Sequence, residues 1–108
     1  MNERDKNHVD RIKEELSFIK KTLQDINRDV FLRDKIIQHA ISMSFITIGE
    51  SANHLSEEFK GQYPEIEWVQ IIAVRNIAAH GYWQLNMDQI WQAAKEDIPE
   101  LIKFFDNL

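Results

Sequence analysis

Six aliphatic residues, Val9, Ile12, Leu16, Ile19, Leu23 and Ile26, recur at steps of 3, 4, 3, 4 and 3. That spacing places them on one stripe of an α-helix. The positions between them are almost all charged or polar, so the helix has one wet face and one face that must be buried against something. The rest of the 108-residue chain offers helices rather than strands as partners, because three glycines and two prolines are too few for the many turns of a β-sandwich or barrel. With 44% apolar and 29% charged residues the chain can bury a core and is not disordered. The expectation is an all-α fold, an antiparallel helical bundle of four to five helices, in a single domain spanning residues 1–108.

Three further segments carry helical periodicity. After a break at Asn27-Arg28-Asp29, with Asp29 as a candidate N-cap, a long segment from Val30 to Phe59 has two apolar faces. Ile37, Ile41, Ser44, Phe45, Ile48, Ala52, Leu55 and Phe59 trace one; Ile36, Met43 and Ile46 trace the other, and Glu50 continues that second row. Such a helix packs between neighbours or into an oligomer interface, which predicts a central helix with a subunit-facing side. Gly61 and Pro64 end it. The third segment, Ile66 to Ala79, is short and nearly all apolar. The fourth begins at Asn86, where Asn86 and Gln89 have capping-box-like spacing, and Met87, Ile90, Ala94, Ile98, Leu101 and Phe105 run down one face. Pro99 inside that pattern predicts a kink or short break near Lys95, whose carbonyl the ring would crowd.

Several function classes fall away. Zero cysteines exclude a disulfide scaffold, a thiol nucleophile and a Cys-ligated zinc site. The charged opening Met1-Asn2-Glu3-Arg4-Asp5-Lys6 predicts no signal peptide. No apolar run approaches the ~18–20 residues that span a bilayer, so the expectation is a cytoplasmic protein without a membrane partner. The net charge is −5, split unevenly: residues 1–36 hold nine basic and eight acidic side chains, whereas residues 37–108 hold only Lys60, Arg75, Lys95 and Lys103 against ten acids. Without a basic stripe, any contact with nucleic acid must be small and focused or shared with a partner. His39, Glu50 and His54 spread over about four turns and form no compact metal set, so no metal and no cofactor are expected. His8 reads as solvated, and Trp68, Trp83 and Trp91 read as core or interface anchors.

One stretch breaks the local rules. Arg75-Asn76-Ile77-Ala78-Ala79-His80-Gly81-Tyr82 puts an arginine, an asparagine and a histidine on an otherwise apolar helix. Burying Arg or Asn without partners costs several kcal/mol, so these groups must be paired or must face a cleft. Asn76 and His80, four apart, share a helical face, and an amide there can fix the imidazole's tautomer. Arg75 diverges from His80 by roughly 140° on an ideal helix, and the two converge only if the helix loosens at its end, which Gly81 permits. A guanidinium can hold a phosphodiester and stabilise charge on its oxygens, while a histidine shuttles protons to and from ribose and leaving oxygens. Each chain offers one such histidine, and two-fold pairing would bring two sets into one cleft. Spacing by itself favours the plainer reading, in which Arg75 and His80 cap carbonyls or pair with a neighbouring acid. Glu50 reads first as an ion-pair partner, for Arg75 or for His54 four residues on.

Arg75-Asn76-x-x-x-His80-x-Tyr82 resembles the signature of the HepT-like toxins in the HEPN superfamily, an Arg-x(4–6)-His motif followed by x-Tyr. Ile48-Gly49-Glu50-Ser51-Ala52 in the second helix, Pro64-Glu65-Ile66-Glu67-Trp68 before the motif helix, and Ile90-Trp91 and Ile98-Pro99-Glu100-Leu101 in the last helix match as well. The resemblance implies a HEPN-like bundle that dimerises and acts as a metal-independent endoribonuclease on RNA. It makes Arg75 and His80 the catalytic pair, with Asn76 supporting them; Glu50, from its place on the second helix alone, is a candidate supporting residue. It also implies a type II/VII-like toxin–antitoxin pair whose other member is an MNT-type minimal nucleotidyltransferase that AMPylates Tyr82. A modification there, two residues from His80, would put bulk and phosphate charge in the cleft. Two rivals remain: a non-catalytic nucleotide- or partner-binding subunit of a nucleotidyltransferase complex, and a plain dimeric interaction module.

Overall fold

In a computed structural model of the chain the stripe of aliphatic residues lies on α1 (Glu3–Leu23), with Val9, Ile12, Leu16, Ile19 and Leu23 all buried. The structure describes the backbone of residues 1–79 and 83–108, and the side chains of these except Ile77, Ala79, Trp83, Gln84 and Leu85. The other helices are α2 (Arg28–Arg33), α3 (Lys35–His54), α4 (Glu57–Gly61), α5 (Trp68–Ala79), α6 (Trp83–Glu96) and α7 (Ile98–Asp106). The described residues are thus all-α, as the periodicity requires, and α3 packs most extensively, against α5 and α1. No helix among them is long and apolar enough to cross a membrane.

The predicted segments are subdivided at their caps. The Val30–Phe59 stretch is not one helix, because Asp34 and Ser56 interrupt it. The Asp34 carboxylate accepts from Ile37 N at 3.1 Å and the Ser56 hydroxyl from Phe59 N at 3.1 Å. Each side chain offers the backbone an alternative to the continuing helical ladder. The break after α1 is capped by Asn27, whose side chain accepts from Val30 N at 2.9 Å, and not by Asp29. Asn86 is no N-cap: it is buried inside α6, which starts three residues earlier. Pro99 has the expected effect two residues beyond Lys95. Asp97 separates α6 from α7, and Pro99 sits in the first turn of α7, where its missing N–H is no loss.

The central faces of α1 and α3 meet in the core, where Ile12, Phe45, Ile41 and Ile48 are almost wholly buried. An aromatic cluster closes one end: Trp68 packs edge-on to Phe59, Phe104 and Phe105 at 6.0–6.3 Å between ring centroids. Its indole N–H donates to the carbonyls of Lys60 and Tyr63, so the polar edge of the ring is satisfied. Trp91 packs on Phe31 and lies beneath the Lys95 ammonium, which also donates to the Leu23 carbonyl at the end of α1. Both tryptophans are core anchors; the Trp83 side chain lies outside those described.

A polar clamp ties the start of α1 to the α3–α4 junction. The buried Asp5 carboxylate accepts from Ser56 N at 2.8 Å and from the Ser56 hydroxyl at 2.7 Å. Burial pushes the Asp5 carboxyl up, but the Ser56 hydrogen bonds, helped by the charges of His8 and the amino terminus, outweigh it and hold it below the usual carboxylate value. His8 is half-buried and stacks on His54 with centroids 5.5 Å apart, rather than standing free in solvent. Burial, then His54, Arg4 and Arg11, lower its proton affinity.

A depressed carboxylate pKa contributes stability above its unfolded value of about 3.9, and that stability is lost as pH falls through the lower folded value. Asp5→Asn is therefore expected to lower the melting temperature at neutral pH and to flatten the fall in stability below about pH 4. Thermal melts of both proteins across that range check it; parallel acid limbs would show that Asp5 is not the titrating group.

Candidate active site

The α5 helix is apolar because it packs on α3, with Ile71 and Ala78 buried and Ile72 and Val74 partly so. Arg75 falls on the flank facing α3, where its backbone passes directly over Gly49. A Cβ placed on Gly49 would stand 2.8 Å from the Arg75 Cβ and 3.0 Å from the Ile72 carbonyl oxygen. Those separations are shorter than packed side chains tolerate, so the glycine is what lets α5 come this close. A glycine within a helix costs roughly 0.5–1 kcal/mol relative to alanine, and the close approach gives that cost a purpose. Gly49 is the site residue that spacing arguments miss; a glycine inside a long apolar helix, next to the glutamate of the second row, is the signal that could have found it.

Beside that contact, Arg75 Nη1 donates to Glu50 Oε1 at 2.7 Å. Glu50 thus pairs with Arg75, while His54, the other candidate four residues on, stacks on His8. The pair is open to water: the Arg75 side chain is 31% and that of Glu50 50% exposed. One bond through Nη1 uses part of a five-donor planar fork, so a guanidinium held in this way can also present N–H groups to an anion. Asn76, the next residue along, is exposed on α5. Arg75 and Glu50 are therefore brought together. His80 and Tyr82 lie outside the described residues, and with them the Asn76–His80 and Arg75–His80 geometry.

The same edge of α3 is apolar further along. Ile36 and Met43 are 83% and 61% exposed, and Ile36, Met43 and Glu50 follow one another at seven-residue intervals, nearly two full turns each, so they share one line along the helix. Ile46, expected on the same row, is half-buried against the core. Among the described residues no group of histidine and acidic side chains could hold a metal ion.

Gly49→Ala is expected to force α3 and α5 apart, destabilising the fold by about 1–3 kcal/mol through overpacking. It should also displace Arg75 from Glu50. Denaturant melts give the first quantity; an unchanged midpoint would show that the helices can shift without loss.

The sequence profile of the ribonuclease HepT-like family matches residues 12–108. The chain is 31% identical over 103 residues to "Probable ribonuclease HepT" of Thermococcus cleftensis, covering 95% of this chain and 94% of that protein. It is 29% identical over 80 residues to "Putative RNase MJ1380" of Methanocaldococcus jannaschii, covering 74% of this chain and 73% of the other. No solved structure matches it. The matched span begins inside α1 and runs through the Gly49–Arg75 crossing to the last residue, and on that extent of agreement the chain belongs to the ribonuclease HepT-like family.

Proposed function

We propose that the chain is a metal-independent endoribonuclease that works as a homodimer, the cytoplasmic toxin of a type II/VII-like toxin–antitoxin pair. The observation that carries the reading is a solvent-open Arg75, held by Glu50 at the close crossing of α3 and α5. Family membership supports the substrate class, RNA, since the relatives matched over most of their length are named as ribonucleases.

Arg75 binds the scissile phosphate and stabilises the charge that builds on its oxygens. Glu50 restricts the rotamers of Arg75, so the fork is aimed before substrate arrives. His80, the one titratable group of the motif with a near-neutral reference pKa, exchanges a proton with the ribose hydroxyl or the leaving oxygen. Asn76 supports the imidazole. One histidine per chain supplies either the acid or the base, and a second copy supplies the other. The exposed Ile36–Met43 line, which leads to Glu50, is the surface that would bring the copies together. Tyr82 is the residue that an MNT-type nucleotidyltransferase antitoxin would AMPylate, placing phosphate charge beside the imidazole.

Purified protein incubated with RNA in the presence of a chelator should cleave it, and Arg75→Ala or His80→Ala should slow cleavage at least about 100-fold without altering the dimer. Equal cleavage by the His80 variant would mark a contaminating nuclease and remove the enzymatic reading. Loss of partner binding alone would favour the non-catalytic subunit instead. Ile36→Asp with Met43→Asp should convert the dimer to monomers in sedimentation and abolish cleavage; a fully active monomer would rule out the shared cleft.

A further inference from the structure

On the side of α5 that carries Gln70, Ile71 and Val74, the helix hardly touches α7, and the gap between them is a groove of about 570 Å3. Arg75 does not line it. Phe45, Ile48 and Ile71 form an apolar floor, and the half-buried Ile66, Val74 and Leu101 stand along its walls. Both lips are acidic: Glu65 and Glu67 lead into α5, and Asp97 and Glu100 open α7. Among the described residues the one cation on the lining, Lys103, lies 3.6 Å from Glu100. Glu65, Glu67 and Asp97 have no ion-pair partner among the described residues, and Asp97 heads α7 without a capping hydrogen bond. Burial, followed by the neighbouring charges of Glu96 and Glu67, raises the proton affinity of Asp97.

We propose that the α5–α7 groove is a docking site for a segment of a partner polypeptide that carries an apolar ridge flanked by lysines or arginines. The apolar floor sets the ridge, and carboxylates on both lips set a cation on either side of it. The α1 helix of a second copy does not meet the requirement, since its basic residues alternate with nearly as many acids and its apolar stripe is already spent in the core. Neither Arg75 nor Glu50 lines the groove.

The test uses the full chain and a short fluorescein-labelled peptide with leucines on one helical face and lysines on the other, read by fluorescence anisotropy. Neutralising the lips (Glu65→Gln, Glu67→Gln and Glu100→Gln together) should weaken binding about tenfold or more, and the same loss should appear in added salt. Neutralising three exposed acids elsewhere (Glu14→Gln, Asp25→Asn and Glu58→Gln) should change it less than about threefold. A peptide with glutamines in place of the leucines should not bind. Circular dichroism confirms that each variant is folded, and amide shifts on binding should cluster at Ile66, Val74 and Leu101. Equal losses in the two triple variants, equal binding of the glutamine peptide, or no binding of the leucine–lysine peptide would each overturn the proposal.

Discussion

The arrangement depends on one close approach, the passage of α5 over Gly49. Two helices normally hold their axes apart by the side chains between them. Here a missing Cβ lets the Arg75 backbone settle onto α3, and Nη1 donates to the carboxylate of Glu50, the residue directly after the glycine. A pair this exposed contributes at most about 1 kcal/mol to stability. Its consequence is directional: a long side chain is fixed at the edge of an apolar contact with its charge toward water.

The remaining contacts tie the helices around that crossing to one another. The Asp5–Ser56 clamp fixes the start of α1 against the end of α3, and Lys95 ties the other end of α1 to α6. The aromatic cluster around Trp68 anchors the beginning of α5 to α4 and α7. Between these anchors the middle of α5 is gripped on the α3 side and free on the α7 side. One helix therefore presents two surfaces of different character: a guanidinium edge beside Glu50 and an acidic-lipped apolar groove.

Much of this was legible in the residues. Steps of three and four fixed which face of each helix is buried, because burial of an aliphatic stripe depends only on residues close in sequence. Of the second apolar row of α3, expected to face a subunit, Ile36 and Met43 are exposed among the described residues, while Ile46 packs against the core. The boundaries were less legible. Asp34, Ser56 and Asn27 act as caps because their side chains reach backbone N–H groups three residues on, a choice between two local hydrogen-bond patterns that apolar periodicity does not register.

Sequence alone determined that this chain is helical, which stripes are apolar, and that Arg75 sits where an apolar helix should carry no charge. It also placed Glu50 on the second apolar row of its helix. Only the tertiary structure decided that Glu50 belongs to Arg75 rather than to His54, that His8 stacks on His54, and that the middle of α5 stands clear of α7. The reason is that these relations join residues tens of positions apart, and their geometry is set by how closely whole helices can approach. At this crossing, that distance is controlled by a single hydrogen atom where any other residue would carry a carbon.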